Sequence, residues 1–270
     1  MEIIARCIAE AHERAVDAII EEGALTSIEV EPGKIMNTWE LTDPLMIIVR
    51  NPNDGQRVSE ACEFGDKFID QYIRDMIIVQ KRGFVYEYPA RLFDYPWHGS
   101  TFDQLGKPER LVAHGDGKGD GINQIAQIVE KITKEPTTRR ALAITWVPEL
   151  DGKAVEPPCL QFTHFLMRKG VVAHGQDPKV WYLSGRFPFR SHDMLSGYPA
   201  NALALLGLMQ YVAGVISLRM SVEIRVGSLI TWSSSAHVYC DAQSKLLSDF
   251  TKLIAKKKNP LYNTWWTQCE

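Results

Sequence analysis

The chain has 270 residues, more than a small domain needs and within the range of one large α/β domain. Hydrophobic residues make up 45% and charged residues 23%, as in globular proteins with a sizeable core. The 30 basic and 33 acidic residues give a formal net charge of -3, which argues against duplex nucleic acid and anionic membranes as partners.

The five cysteines are widely spaced and form no Cys-x-x-Cys pair, which argues against a disulfide framework and a zinc ribbon. A reducing compartment fits this pattern, so we expect a cytoplasmic protein. The histidines share no ligand spacing, so we expect no metal. The amino end does not resemble a signal peptide, and no run approaches 18 apolar residues, so no membrane span is predicted.

In the first part of the chain, apolar spacing predicts helices over 3–22, which Gly23 ends, and 59–80. SIEVEPGKIMNTWEL predicts two strands joined by Pro32-Gly33, and PLMIIVRNP predicts another strand. VYEYPARLFDYPWHG alternates aromatic residues with turn formers, and LVAHGDGKGDG is typical of a surface loop.

In the second part, INQIAQIVEKITKEP predicts an amphipathic helix, and RRALAITWVP predicts a strand. CLQFTHFLMRKGVVAHG predicts two strands with a turn at Lys169-Gly170. ANALALLGLMQYVAGVI predicts a nearly all-apolar helix that is buried at the centre. SLRMSVEIRVGSLITWSSSAHVYC adds strands, and DAQSKLLSDFTKLIAKKK a surface helix. Without an internal repeat or a flexible linker, we predict a single α+β domain over 1–270.

Four short segments carry candidate chemistry: TTRR, PPC, RSHDMLSGYPAN and AHVY. Each alone has an ordinary structural explanation. Arg139-Arg140 fits a solvated corner, Cys159 a small packed hydrophobe, and Asn201 an N-cap or the first turn of a helix. His237 and Tyr239 lie at i and i+2 on one strand face and could simply hydrogen-bond within the fold.

In this order and spacing, the four segments resemble the thymidylate synthase and pyrimidine-nucleotide hydroxymethylase family. The family has an arginine doublet about twenty residues before a Pro-Cys, as Arg139 stands before Cys159. It then has Arg-Ser-x-Asp running through Gly-x-Pro-x-Asn into an apolar helix, and a later His-x-Tyr. YEYPARLFDYP also resembles a segment of the shorter archaeal-type members. The resemblance covers roughly residues 35–245 and implies a mixed sheet packed on helices, with a buried central helix.

The resemblance implies chemistry at C5 of a pyrimidine, which is a poor nucleophile. The Cys159 thiolate would add to C6, so that C5 can attack a one-carbon unit from 5,10-methylenetetrahydrofolate. The prolines before Cys159 limit its backbone freedom. A free thiol is mostly protonated at neutral pH and needs a nearby cation to favour the thiolate. Arg190 has this role in the family and also contacts the phosphate.

Further nucleotide contacts follow from the same resemblance. Arg139 and Arg140 would clamp the phosphate by bidentate hydrogen bonds from the partner subunit, which implies a homodimer. Ser191 would add a hydroxyl contact to the phosphate. Tyr88 would lie near the cysteine and help to remove the proton from C5.

The base, the sugar and the folate have their own expected partners. The Asn201 amide would donate to O4 and accept from N3–H of uracil, whereas cytosine presents the opposite pattern. Asn201 therefore favours a uracil nucleotide. His237 and Tyr239 would hold the sugar 3′-hydroxyl, and Asp193 would bond the folate pterin.

A general acid/base glutamate is also required, to move protons through ordered water near the base O4. We place it at Glu60, with Glu63 as the alternative. Both could instead be surface carboxylates in the first turn of a helix, where they favour the helix dipole.

Several positions depart from the family pattern. Leu160 stands where His is common, Asn123-Gln124 replaces Asp-Gln, and Lys34 is a weak substitute for an amino-terminal phosphate arginine. The additional stretch GQDPKVWYLSG places Arg190 31 residues beyond Cys159.

Three functions stay open. Methylation of dUMP to dTMP is the first. The second is a 5-hydroxymethylase acting on dUMP or a cytidine nucleotide. It is favoured because the carboxy end YNTWWTQCE lacks the short apolar tail that excludes water in the ordinary enzymes. Trp265 and Trp266 are a candidate lid in place of that tail. A non-catalytic member that binds a nucleotide or its own messenger RNA is the third, against which the intact Cys159 argues. No segment fits a triad around Cys159, so a cysteine hydrolase is not supported.

Overall fold

The structure, a computed structural model, describes residues 1–31, 33–78, 87–102, 108–114, 119–240 and 243–258. These residues form helices and mixed sheets, which confirms the predicted α+β class. They fall into two compact units. Unit 1 comprises the described parts of Met1–Asp70, Phe189–Leu203 and Ser228–Glu270, and unit 2 those of Gln71–Pro188 and Ala204–Gly227. The prediction of one domain over 1–270 stays a prediction.

The helices and strands of the described residues follow in chain order. The helices are α1 (Ile8–Glu22), α2 (Asp66–Ile77), α3 (Tyr88–Phe93), α4 (Gln124–Lys134), α5 (Pro148–Asp151), α6 (Gly197–Met220) and α7 (Ser244–Lys258). The strands are β1 (Glu2–Ala5), β2 (Ala24–Glu31), β3 (Lys34–Glu40), β4 (Leu45–Val49), β5 (Trp97–Phe102), β6 (Pro108–His114), β7 (Leu142–Ile144), β8 (Phe162–Lys169), β9 (Trp181–Phe189), β10 (His192–Asp193), β11 (Ile224–Ser233) and β12 (Ala236–Tyr239).

Unit 1 contains two groups of paired strands. Strand β1 runs parallel to β4, and β4 runs antiparallel to the Leu229–Ser233 part of β11. The second group has the order β10-β12-β3-β2, in which β10 and β12 are parallel and the other pairs are antiparallel. The predicted β2–β3 hairpin is confirmed, and Gly33 takes a φ of 78° in its turn, which glycine adopts without strain. Pro32 lies outside the described residues.

Unit 2 is built on the antiparallel neighbours β7, β8 and β9 and on the β5–β6 hairpin. Helix α4 confirms the predicted amphipathic helix, and its apolar side chains at positions 125, 128, 129 and 132 are buried. The Asn123 side chain caps it by accepting from the Ala126 N–H at 2.8 Å.

Two helices predicted in the amino-terminal part are shorter than expected. The helix predicted over 3–22 begins only at Ile8, because residues 2–5 pair with β4 and alternate between exposed and buried. Four residues cannot separate a helical from a strand period, so the pairing decides. The helix predicted over 59–80 begins at Asp66; its last residues, 79 and 80, lie outside the described ones. The Ser59 hydroxyl accepts from the Ala61 N–H, as in a turn.

Two further predictions are wrong. Leu111–His114, expected in a loop, belong to β6; residues 115–118 of that stretch lie outside the described ones. After β8 the chain does not turn at Lys169-Gly170 into a second strand. Instead Val172–His174 form a 3₁₀ turn, and Val172 is 71% exposed. The next strand in the chain that pairs with β8 is β9, and its first residues lie in the stretch that looked like an insertion.

The predicted apolar helix is α6, and it is longer than expected because it includes Ser217–Met220, which were predicted as strand. Length and composition would allow it to cross a membrane, since an 18-residue window has a mean hydropathy of 1.6, contrary to the expected absence of such a run. However, 61% of that window is buried inside the structure, as in the core helix of a globular protein. The buried apolar helix is thus confirmed.

Unit 1 also buries an ion pair. The Lys257 ammonium of α7 lies 2.8 Å from both carboxylate oxygens of Glu13, whose side chain is fully buried in α1. The Ser59 hydroxyl donates to the same carboxylate at 2.7 Å. Helix α7 was predicted to be a surface helix, yet Phe250 and Ile254 are buried as well.

We predict that Lys257→Met lowers the free energy of unfolding by about 3–5 kcal/mol, because it leaves the Glu13 charge buried without its cation. Chemical denaturation at neutral pH measures this. The matched control is Lys252→Met on the same helix, whose pair with Asp249 is exposed and should change stability by about 0–1 kcal/mol. Equal effects of the two substitutions would contradict the prediction, and Glu13→Gln added to Lys257→Met should recover most of the loss.

His12 is a second fully buried polar group of unit 1. Its Nε2 lies 2.9 Å from the Leu195 carbonyl oxygen, and its ring lies 4.7 Å from that of Phe250. Burial lowers the pKa of His12 from 6.5 to about 4. Between these values the unfolded chain binds a proton that the folded chain does not, so stability falls as the pH drops below 6.5.

We predict that lowering the pH from 7.0 to 5.5 destabilises the wild type by about 1 kcal/mol more than His12→Gln, which can keep the bond to Leu195 without titrating. Urea unfolding of both proteins at the two pH values measures the difference. The same loss in both proteins would show that His12 does not carry this dependence.

Candidate functional site

Cys159 lies on a turn in unit 2 that we call the Cys159 turn, residues 158–161. Its side chain is half-buried. The Gln161 side chain donates to the carbonyls of Pro158 at 2.9 Å and Cys159 at 3.2 Å, and the Gln161 N–H donates to Pro188 at 2.8 Å. These bonds hold the backbone on the carboxyl side of the cysteine.

The residue after the cysteine is held as well. Leu160 is fully buried, and its N–H donates to the Tyr88 hydroxyl at 3.1 Å. Its carbonyl accepts from the buried Thr145 hydroxyl. The Tyr88 hydroxyl thus contacts the backbone of the residue that follows Cys159, and its role in catalysis stays a prediction. Leu160, a departure from the family pattern, is a core residue that contributes its backbone groups to the turn.

Arg139 and Arg140 follow α4 in unit 2, and both are exposed. The Arg139 carbonyl lies 3.0 Å from His164 Nε2. The Arg140 guanidinium pairs with Glu135, in an exposed ion pair of the kind that contributes little to stability. The solvated corner that was the ordinary explanation of this doublet is therefore present.

Four predicted site residues of unit 1 form a group that we call the Asp193 cluster: Asp193, Asn201, His237 and Tyr239. Parallel pairing of β10 with β12 places Asp193 opposite His237. The His237 and Tyr239 rings meet edge to face with centroids 5.0 Å apart. Asn201 lies in the second turn of α6, later than the predicted N-cap or first turn, because the helix already begins at residue 197.

Gly197, the first residue of α6, lies close to both Asp193 and Asn201. A Cβ atom there would lie 3.5 Å from the Asp193 Cβ and 3.8 Å from Asn201 Nδ2. These are ordinary contact distances, so Gly197 brings α6 next to the cluster without excluding a small side chain.

Gln243, which sequence reasoning missed, ties the cluster together. Its Nε2 donates to Asp193 Oδ2 and to the Ser196 hydroxyl, both at 2.8 Å, and its Oε1 accepts from the Tyr239 N–H at 3.0 Å. The other Asp193 oxygen accepts from the N–H groups of Leu195 at 2.9 Å and Ser196 at 3.2 Å. No pattern marks this glutamine, since it precedes a helix with a polar face.

The charge state of His237 follows from its surroundings. Burial lowers its pKa, and the nearby Asp193 charge opposes this in part. His237 is therefore neutral at neutral pH and has one ring donor and one ring acceptor.

The remaining predicted residues of unit 1 are more exposed. Arg190 is exposed and Ser191 half-buried, between β9 and β10. Glu60 and Glu63 are both exposed, in the segment before α2 and outside the helix first turn that was the alternative. Their exposure does not separate them, so the choice of Glu60 stays a prediction.

The family model described as "Thymidylate synthase" matches residues 34–264. The chain belongs to the thymidylate synthase family. Three archaeal proteins, each named "Putative thymidylate synthase", are similar over most of their length. The protein of Methanocaldococcus jannaschii is 29% identical over 87% of this chain and 88% of its own, and that of Methanococcoides burtonii 30% over 88% of both. The protein of Methanosarcina acetivorans is 32% identical over 72% of this chain and 71% of its own.

Family membership makes the chain a transferase, and the thymidylate synthase family uses methylenetetrahydrofolate with a nucleotide substrate. In the part of the chain that the structure describes, no three His, Cys, Asp or Glu side chains lie together as a metal site would require. The absence of a metal stays a prediction.

We predict that Gln243→Leu lowers the free energy of unfolding by about 1–3 kcal/mol, because it removes the amide donor to Asp193 Oδ2 and the amide acceptor of the Tyr239 N–H in a half-buried group. Urea denaturation measures the loss. Gln71→Leu is the matched control, since Gln71 also donates to a carboxylate, Asp75, but on an exposed helix face. A loss no larger than in that control would show that Gln243 does not hold the cluster.

Proposed function

We propose that this chain methylates dUMP to dTMP with 5,10-methylenetetrahydrofolate, leaving dihydrofolate. The observation that supports this best is the Cys159 thiol, half-exposed on a turn whose backbone is held by Tyr88 and Gln161, in a chain of the thymidylate synthase family. A thiol that only filled the core would need neither the access nor the rigid support. A cytoplasmic location, where the thiol stays reduced, goes with this proposal.

Cys159 acts as the nucleophile. Its thiolate forms a bond to C6, and the electron pair of the C5–C6 double bond moves into an enolate at C4–O4. C5 then bonds to the one-carbon unit as the bond from that carbon to one folate nitrogen breaks, and C5 loses its proton to a base as the bond to the second folate nitrogen breaks. This leaves an exocyclic methylene group on C5, and a hydride from the folate would convert it to the methyl group. The electron pair of the methylene double bond moves to C5–C6, and the sulfur leaves C6 with the electron pair of the bond between them, which restores the ring.

Arginines hold the phosphate in this proposal. Arg190 contacts the phosphate and favours the thiolate, and Ser191 adds a hydroxyl donor. Arg139 and Arg140 come from the partner subunit of a homodimer and bind the phosphate in bidentate fashion. The exposed pair of Arg140 with Glu135 is weak enough for a dianion to replace it.

The Asp193 cluster recognises the rest of the nucleotide. Asn201 donates to O4 and accepts from N3–H of uracil. His237 and Tyr239 hold the sugar 3′-hydroxyl. The neutral imidazole of His237 suits a hydroxyl, which both donates and accepts.

Asp193 also binds the folate pterin in this proposal. A carboxylate offers about four acceptor positions, and the N–H groups of Leu195, Ser196 and Gln243 use three of those on Asp193. Asp193 can therefore accept one further N–H, which fits a pterin donor.

Two residues move protons. Glu60, with Glu63 as the alternative, acts through ordered water near O4. Tyr88 assists removal of the C5 proton. The bond from the Leu160 N–H to its hydroxyl keeps Tyr88 next to the Cys159 turn.

A 5-hydroxymethylase acting on dUMP or a cytidine nucleotide is the second candidate. The carboxy end YNTWWTQCE differs from the apolar tail of the ordinary enzymes. If it excludes water less well, water can add to the exocyclic methylene intermediate in place of hydride. Trp265 and Trp266, the candidate lid, lie outside the described residues.

The experiment mixes the protein with 5-tritiated dUMP or dCMP and methylenetetrahydrofolate, follows tritium release and determines the product mass. We expect release from dUMP, a methyl product and dihydrofolate. A hydroxymethyl product would replace the first candidate by the second. Release from neither nucleotide would overturn both and favour a member that only binds a nucleotide or RNA.

We predict that Cys159→Ser abolishes tritium release and leaves dUMP binding within about tenfold, because the thiolate forms the covalent bond while arginines and the Asp193 cluster provide affinity. Titration calorimetry measures the binding. Cys62→Ser, which removes another half-buried thiol, is the control and should keep turnover. If Cys159→Ser loses binding and activity to the same degree, Cys159 is a structural residue.

A further inference from the structure

His192, the variable residue of the Arg-Ser-x-Asp segment, is almost fully buried in unit 1. Its ring stacks on Phe189, with centroids 3.9 Å apart and planes inclined by 15°. Its two nitrogens face different partners. Nδ1 lies 3.1 Å from the Ser233 hydroxyl, and Nε2 lies 3.3 Å from Asn201 Nδ2.

The protonation of His192 decides what each contact is. Burial, and to a lesser degree the nearby His237, lowers the pKa of His192 to about 3. At neutral pH the ring therefore has one N–H donor and one acceptor. Asn201 Nδ2 is a donor, so Nε2 of His192 is the acceptor. The ring proton is then on Nδ1 and is donated to the Ser233 oxygen.

We propose that His192 is a positioning residue that holds the Asn201 amide in one orientation and thereby makes the site select uracil over cytosine. This inference rests on the proposed function. The structure has Nδ2 towards His192. For the amide to turn over, the ring proton would have to move to Nε2 and the buried Ser233 hydroxyl would have to change from acceptor to donor at the same time, so the two nitrogen contacts couple the amide orientation to the core.

The orientation matters because the two bases are complementary to opposite amides. Uracil offers an acceptor at O4 and a donor at N3, whereas cytosine offers a donor at N4 and an acceptor at N3. An amide that can rotate accommodates either base, but one whose N–H is committed to a buried acceptor does not. His192 thus acts through Asn201 and needs no contact with the base.

The alternative is that His192 only fills the core. Its stacking on Phe189 would serve this purpose, and a phenylalanine would do so equally well. The two directional contacts of its nitrogens, to Ser233 and Asn201, are what the positioning role adds. The two roles therefore predict different results when the ring is kept and its nitrogens are removed.

The test compares equilibrium binding of dUMP and dCMP to the wild type, His192→Phe, His192→Gln and Ser233→Ala by titration calorimetry. His192→Phe keeps a stacked ring without an acceptor, and we expect the ratio of dUMP to dCMP affinity to fall about tenfold, the effect of one hydrogen bond. His192→Gln provides a carbonyl acceptor for Asn201 and should recover the ratio to within about threefold. Ser233→Ala removes the partner of Nδ1–H and should lower the ratio without touching Asn201.

Phe189→Leu is the packing control, since it alters the stack on the His192 ring but neither nitrogen contact. Its ratio of dUMP to dCMP affinity should equal that of the wild type. If His192→Phe folds and weakens both nucleotides equally, this inference is wrong while the proposed function stands on tritium release. If His192→Phe does not fold, the other two variants decide. A lower ratio of dUMP to dCMP affinity in Ser233→Ala than in His192→Gln supports the inference, and equal ratios contradict it. A wild type that binds neither nucleotide would overturn the proposed function and this inference together.

Discussion

The carboxylate of Asp193 is the constraint on which the candidate site in unit 1 depends. It stands at the end of β10, accepts the two N–H groups of the turn that leads into α6, and accepts the Gln243 amide that precedes α7. Because one carboxylate satisfies donors from separate parts of the chain, the direction in which α6 starts is coupled to the strand pair β10–β12. Asn201 and His237 are positioned by that coupling, which a neutral side chain at 193 could not provide.

Unit 1 buries polar groups in two different charge states, one charged and one neutral. Glu13 is kept charged, because Lys257 and Ser59 satisfy its oxygens. This joins α1 and α7 to the segment that carries Glu60. His12 and His192 are instead kept neutral, because burial makes their protonation costly. A neutral imidazole has a distinct donor and acceptor, so it can contact an acceptor through one nitrogen and a donor through the other.

The sequence predicts the elements whose signals are long or strongly periodic. Helices α4 and α6 and the β2–β3 hairpin belong to this class. Strands β1 and β9 do not, because β1 is too short to show a period and β9 begins in a polar stretch that looked inserted. The chemistry follows the same division: ordered motifs indicate Cys159 and the Asp193 cluster. Gln243 and His192 are missed, since their contacts come from elements distant in sequence, and a lone glutamine or histidine has no pattern that reveals its partner.

In the Cys159 turn, the contacts that hold the backbone are separate from the side chain at position 160. The shape of the turn is set by amide and carbonyl groups, which every residue type except proline supplies alike, and by three side chains, those of Tyr88, Gln161 and Thr145. The Leu160 side chain is fully buried in the core, so packing against its neighbours is what constrains it. A leucine can therefore stand at position 160, where the family commonly has histidine, with every backbone hydrogen bond of the Cys159 turn in place.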